Sequence, residues 1–216
     1  MPIRSFPEPD VPAHLLAQVR DLQREAWPGH DFPAPGGGPA HDPALAPRTM
    51  LLLDEGDGRD EGDEGDEGGG RDEGDGRDEG TVLAALDILS KTLSHAGHRF
   101  RAAGLSTVVT RKAARGRGHG RRLVAAARAA VADAGFDVAL FTCDRPLQGF
   151  YESAGWSAIP GAVLVGGTPQ APFPSDLPGF DKVTMGDFPS PHGRAHRLSF
   201  HHARVELHPG EIDRLW

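Results

Sequence analysis

The residues best placed to do chemistry form one short run, Arg115-Gly116-Arg117-Gly118-His119-Gly120, followed directly by Arg121 and Arg122. The spacing Arg-x-x-Gly-x-Gly lies between a strand-like stretch, Leu105 to Thr110, and an apolar-striped segment that reads as a helix. Glycine adopts backbone angles that a Cβ forbids and lets the chain approach a ligand closely. The leading N–H groups of a helix lack internal partners, and the helix dipole adds about half a positive charge there. Arg115, Arg117, Arg121 and Arg122 add full charges. This combination suits a pyrophosphate. A basic nucleic-acid patch is the plainer alternative, but the aromatic residues of a stacking platform are missing. A dinucleotide site wants G-x-G-x-x-G with an acidic residue about 20 positions on, and an ATP loop wants Gly-Lys-Ser or Gly-Lys-Thr. Neither pattern is present.

A second candidate is Asp87, which interrupts the apolar stretch LAALDIL. A carboxylate in such a strand is costly unless it is hydrogen-bonded or faces a cleft. If Ala96-Gly97 is a two-residue hairpin turn, paired residue numbers total 193 and Asp87 falls opposite Ser106. Their Cβ atoms would then be about 5 Å apart. His192 and His196 have the spacing of a helical metal pair, but Pro191 and Gly193 argue against a helix there, so no metal site is expected. Cys143 ends a buried-looking strand with no histidine or aspartate placed to activate it.

The elements around these residues follow from periodicity. Ile3 to Phe6 and Met50 to Leu53 read as short strands. A helix capped by Asp10 should carry Leu15, Val19, Leu22 and Ala26 on one face. Residues 28–48 read as a long Pro/Gly loop. Thr81 to Leu93 and His98 to Thr110 form a hairpin, His119 to Ala134 a helix with Leu123, Ala127, Ala130 and Ala134 inward, and Val138 to Cys143 a buried strand. That strand–helix–strand unit demands parallel strands with a right-handed crossover. A short helix near Pro146 to Ala154, a strand over Ala162 to Val165, a Pro-rich loop over 167–180 and strands at Val183 to Met185 and Arg204 to Leu207 complete the chain.

Within the 216 residues, positions 54–80 contain no apolar side chain. They hold 14 acidic residues against three arginines, a net charge of −11. Set against −8 for the whole chain, this leaves +3 on the other 189 residues, so the folded part favours an anionic ligand. The tract is expected to be a disordered insert in a single domain spanning 1–216. One cysteine excludes an internal disulfide framework, and no apolar run approaches the ~20 residues of a membrane span. A cytoplasmic protein with no membrane or nucleic-acid partner is expected.

Val109 through Gly120, continued by Arg121-Arg122-Leu123-Val124, resembles the acetyl-CoA signature of the GNAT superfamily of N-acetyltransferases. Phe150-Tyr151-Glu152-Ser153-Ala154-Gly155-Trp156 resembles its second signature, in the right order and about 30 residues on. The resemblance covers roughly 81–165. It implies an α+β fold with a mixed central sheet, flanking helices and a splayed parallel pair formed by the fourth and fifth strands. It implies acetyl-CoA as co-substrate, with Val108, Val109 and Thr110 pairing with the pantetheine arm and Arg115 to Gly120 holding the pyrophosphate. It implies Tyr151 as general acid.

A narrower likeness is to the aminoglycoside 2′-N-acetyltransferases, through Trp27-Pro28-Gly29-His30-Asp31-Phe32, Gly167-Thr168-Pro169 and the final Trp216. In that group the residue matching Asp31 touches substrate, and Thr142 falls where a small hydroxyl residue lies near it. The chain departs from the group in having Ser106 where a glutamate serves as base, and in a slightly longer tail. Given this chemistry, Asp87, acting through water and Ser106, is the candidate to accept the amine proton; the alternative is that Asp87 points to solvent or binds a cationic substrate. A strand amide near Val109 would meet the developing oxyanion. Asp31, Asp176, Asp181, Glu211 and Asp213 offer an acidic rim to a polycation, and Trp216 is a further candidate to touch the acceptor. The leading expectation is acetyl transfer to a primary amine of a small molecule. A protein or peptide N-acetyltransferase, or an acyl-CoA-binding sensor without turnover, stays open, as does a homodimer.

Overall fold

The computed structural model describes residues 1–29, 39–55 and 80–216. The acidic residues 56–79, read above as disordered, and Asp31 lie outside them. The elements in chain order are β1 (Ile3–Pro7), α1 (Ala13–Ala26), β2 (Arg48–Asp54), β3 (Thr81–His95), β4 (His98–Thr110), α2 (His119–Asp133) and β5 (Val138–Asp144). They continue with α3 (Gln148–Ser153), β6 (Ser157–Ala158), β7 (Val163–Gly167), β8 (Pro172–Pro174), β9 (Lys182–Asp187), α4 (Pro191–His196) and β10 (Arg204–Glu206). A seven-stranded mixed sheet has the order β1-β2-β3-β4-β5-β9-β6, and a three-stranded sheet the order β10-β7-β8. None of the described helices is long and apolar enough to cross a membrane.

The main sheet is apolar on both faces. Leu51, Leu53, Val82, Ala85 and Val109 meet Leu15, Val19 and Leu22 of α1. Met50, Leu52, Ala84 and Leu86 belong to the larger cluster with Leu123, Val124, Ala127 and Val131 of α2. Each fully buried Leu, Val or Met among them contributes about 1.5–3 kcal/mol. The inward face of α2 differs from the expected one: Val124 and Val131 are buried, while Ala134 is exposed. A true 3.6-residue period carries the stripe that way. Asp10 does not cap α1, since it ends a preceding 3-10 turn and Pro12 occupies the cap position.

The β3–β4 hairpin has the expected register, from His95↔His98 to Asp87↔Ser106. Ala96 and Gly97 both have positive φ, 48° and 79°, as a twisted two-residue turn requires. Beyond Ser106 the register shifts, and pairing resumes at Ala85↔Val109 and Ala84↔Thr110. The extra residue makes a bulge in β4, where Thr107 has φ 48°. A β-branched residue there is strained by about 1–3 kcal/mol and persists only where its surroundings hold it.

Two local expectations fail for identifiable reasons. Pro191 and Gly193 do not prevent α4: Pro191 takes the first turn, where its missing N–H is harmless, and Ser190 Oγ caps Gly193 N at 2.9 Å. The Pro-rich loop holds β8, which lies at a sheet edge where proline is tolerated.

Candidate functional site: a glycine turn beside a splayed strand pair

β4 and β5 run parallel and pair only at Ala102↔Val138 and Ala103↔Ala139. Past that point β5 keeps its other partner, β9, to Asp144, while β4 keeps β3. The two strands therefore diverge, and among the described residues the edge of β4 from Gly104 to Thr110 has no strand partner on the β5 side. Its backbone is available to an extended ligand arm. Val109 is buried, whereas Val108 and Thr110 are half-buried.

β4 leads through a 3-10 turn, Lys112–Ala114, into the glycine turn. Gly116 and Gly118 have φ 77° and 80°, a left-handed conformation that favours glycine, and each has open space where a Cβ would stand. Gly118 caps α2, with its carbonyl accepting from Arg122 N at 3.0 Å. Gly120 is needed for another reason: a Cβ there would come within 2.6 Å of Thr110 Oγ1. The helix start is thus pressed against the end of β4. Arg115 Nε donates to Thr110 O at 3.0 Å, while Arg117, His119, Arg121 and Arg122 line the turn, His119 half-buried and the arginines exposed. An open nest of amides, four arginines and an unpaired strand edge leading away from it fit a pyrophosphate-bearing arm such as that of acetyl-CoA.

Tyr151 lies on α3, buried, with its ring edge-on to Phe141 at 4.9 Å and Phe150 at 5.0 Å. Burial, reinforced by Cys143 and Asp144, raises its pKa well above the ordinary tyrosine value. It is therefore a proton donor across the whole physiological range. Burial likewise pushes the Cys143 thiol up to about 11, which makes it a poor nucleophile.

Asp87 is buried in the centre of β3 and fully engaged. Its Oδ1 accepts from Thr49 Oγ1 at 2.5 Å and its Oδ2 from Thr107 Oγ1 at 2.5 Å. The Thr107 bond holds the strained bulge in place. His41, which sequence reasoning missed, places Nε2 3.1 Å from Asp87 Oδ2 and Nδ1 2.5 Å from Asp213 Oδ1. Burial pulls the His41 pKa down, but the hydrogen bond with Asp213 and the pairing with Asp87 outweigh it and push it up to about 10. Burial would raise the Asp87 pKa, but His41, Thr107 and Thr49 reverse this and hold it below the usual carboxylate range. A buried imidazolium thus bridges two carboxylates 126 positions apart in the chain. His41 has no local pattern to mark it; only a lone polar pair in a Pro/Gly loop, His41-Asp42, hints at it.

Ser106, Val108, Val109 and Thr110 lie on β4 at the splay, Asp87 on the neighbouring β3 opposite Ser106, and Tyr151 on α3 against Phe141 of β5. Thr142 is half-buried on β5 opposite Thr184. Asp213 is not on a rim: it is buried, bound to His41 and to Asp42 N at 3.0 Å. Asp181 is exposed and pairs with Arg145 at 2.6 Å. Trp216 is buried, its Nε1 donating to Leu140 O at 2.8 Å. His192 and His196 lie on α4, His192 exposed and His196 half-buried, and their rings pack against each other, His98 and Phe100. Among the described residues no group of three His, Cys, Asp or Glu side chains is arranged to hold a metal ion.

Residues 76–159 match the family model described as an acetyltransferase (GNAT) domain. No curated protein matches the sequence. Among solved structures, an acyl-CoA N-acyltransferase from Pseudomonas aeruginosa is similar with a TM-score of 0.50 at 18% identity, over 86% of this chain and 97% of that one. An aminoglycoside 6′-N-acetyltransferase complexed with coenzyme A is similar with a TM-score of 0.51 at 14% identity, over 88% and 98%. At such identities the likeness is one of fold. It agrees with the parallel, diverging β4/β5 pair and the glycine turn that follows β4. Residues 76–159 are a GNAT acetyltransferase domain on a GNAT fold, and the chain is an acyltransferase.

Proposed function

We propose that the chain is an N-acetyltransferase that moves acetyl from acetyl-CoA to a primary amine of a small molecule by direct attack. The observation that supports this most is the unpaired edge of β4, which runs from the glycine turn to the bulge at Thr107. Arg115 to Gly120 hold the pyrophosphate, and Val108, Val109 and Thr110 pair with the arm. When bound, acetyl-CoA supplies the activated acetyl group. An amide near Val109 meets negative charge on the acyl oxygen. Tyr151 protonates the departing sulfur; burial keeps its hydroxyl protonated while making it a weaker acid. Asp87, reached through Thr107 or Ser106, receives the amine proton. Thr142 and Asp181 border the acceptor side.

Within small amines the narrower sequence likeness puts aminoglycosides first, and activity on them would amount to resistance. The engagement of Asp213 with His41 leaves fewer carboxylates for a polycation than the sequence suggests. The test is release of coenzyme A thiol from acetyl-CoA with aminoglycosides, polyamines and peptide N-termini as acceptors. Turnover with peptides alone would replace the small-molecule reading. Coenzyme A binding without turnover on any amine would leave a sensor, and no binding by calorimetry would overturn the acetyl-CoA site.

A further inference from the structure

The parallel ladder of β4 and β5 stops after Ala103↔Ala139, and the next positions are Gly104 and Leu140. The acceptor site on the Leu140 carbonyl, which a strand amide would otherwise use, is filled by the indole Nε1 of Trp216 at 2.8 Å. The indole lies directly on Gly104. A Cβ on that glycine would collide with Nε1 and come within 2.6 Å of both Trp216 Cε2 and Leu140 O. The neighbouring β4 residues, Ala103 and Leu105, carry side chains; at the vertex of the divergence the strand has none.

The segment that delivers this indole is fastened at three places. Arg214 O accepts from Gly167 N at 2.8 Å, which ties the tail to β7. Asp213 holds Asp42 N and His41. His41 in turn faces Asp87, whose other contacts are Thr49 and the bulge residue Thr107. A single run of contacts therefore joins the last residues of the chain to the strained point of β4. Lys91 adds a fourth tie nearby, donating to the carbonyls of Leu207 and His208 at 2.7 Å each.

We infer that Trp216 is a positioning residue, a wedge that ends the β4–β5 ladder and sets the width of the opening in which the thioester lies, with Asp213, His41 and Asp87 as the clasp that seats it. This rests on the acetyl-CoA reading of the splay. It gives Trp216 a different job from touching the acceptor, because its indole is turned into the strand gap.

Kinetics and binding of Trp216→Ala separate the two. A wedge acts on the cofactor side, so coenzyme A affinity by calorimetry and kcat/KM for acetyl-CoA fall by about 10²-fold, the effect of a misplacement near 1 Å. The KM for the acceptor stays within about twofold of wild type. Trp216→Phe, which keeps the ring and loses the donor, recovers most of the coenzyme A affinity. Should Trp216→Ala fail to fold, Trp216→Leu, which keeps apolar volume at the vertex, carries the same comparison. Wild-type coenzyme A affinity in Trp216→Ala or Trp216→Leu, or a change confined to the acceptor KM, overturns the wedge and leaves the acetyl-CoA site standing. A wild-type chain that binds no coenzyme A removes both.

Discussion

The buried His41 makes a quantitative statement about stability against pH. In the unfolded chain its pKa is the ordinary 6.5, and in the fold it is about 10. Between these values the folded state holds one proton more than the unfolded state, so stability falls as pH rises. The slope is about 1.4 kcal/mol per pH unit, and the full contribution, present below 6.5 and gone above about 10, is on the order of 5 kcal/mol. For a domain whose total stability is about 5–15 kcal/mol, that loss is decisive. The assay is urea unfolding of wild type and His41→Gln at intervals from pH 6 to 10, comparing how each free energy changes. Lys91, whose pKa is lowered by burial, and the other alkaline groups are common to both and drop out of the difference. Wild type should lose stability steeply across this range, and His41→Gln should be less stable at pH 6 but much flatter. If His41→Gln is too unstable to measure, Asp213→Asn removes the nearer carboxylate and should shrink the slope. Parallel curves for wild type and variant would refute a protonated His41 in the fold.

Three further outcomes follow from the same geometry. Tyr151→Phe should lower kcat by about 10²–10⁴-fold with coenzyme A affinity unchanged, measured by steady-state kinetics beside calorimetry. Gly120→Ala places a methyl 2.6 Å from Thr110 Oγ1 and should destabilise by about 1–3 kcal/mol and weaken coenzyme A binding, whereas Gly149→Ala, with open space around it, should do neither. Because Asp54 pairs with Thr81 and Leu53 with Val82, joining Glu55 to Gly80 through a short Gly-Ser turn in place of residues 56–79 should leave the melting temperature and the acyltransferase activity near wild type.

What was legible in the sequence is what local chemistry dictates. The hairpin register came from two residues, Ala96-Gly97, and one number, and it placed Asp87 opposite Ser106. The glycine turn was visible because its glycines do separate jobs, two by conformation and one by close approach. The bulge was not visible, because nothing in Leu105 to Thr110 marks an extra residue; it is fixed by the bond from Thr107 to a carboxylate on another strand. His41 and Trp216 were unreadable in role for the same reason. Their partners lie 172 and 76 positions away, and such contacts follow from the assembled sheet rather than from periodicity. Asp213 was misplaced on a rim because an exposed-looking tail, Glu211-Ile212-Asp213, gives no sign that its aspartate turns inward.

The setting of Asp87 decides when it can act as a base. Two hydroxyl donors and a neighbouring imidazolium hold its pKa below the usual carboxylate range, so it is a weak base toward a free ammonium group. The acceptor must therefore arrive as neutral amine, its proton already lost to water. Once the nitrogen has begun to bond to the acyl carbon, its N–H becomes far more acidic, and a weak base suffices. In this scheme kcat/KM rises with pH up to the pKa of the acceptor amine itself, with no ionisation of Asp87 between pH 5 and 8. Asp87→Asn should then lower the plateau by about 10²–10⁴-fold while leaving the position of the rise unchanged. Coenzyme A binding by the variant, measured alongside, checks that the bulge at Thr107 has kept its shape. A plateau at the wild-type level would remove Asp87 from the proton path. A rise that moves with the substitution would show that Asp87 titrates in this range, against the hydrogen bonds that surround it.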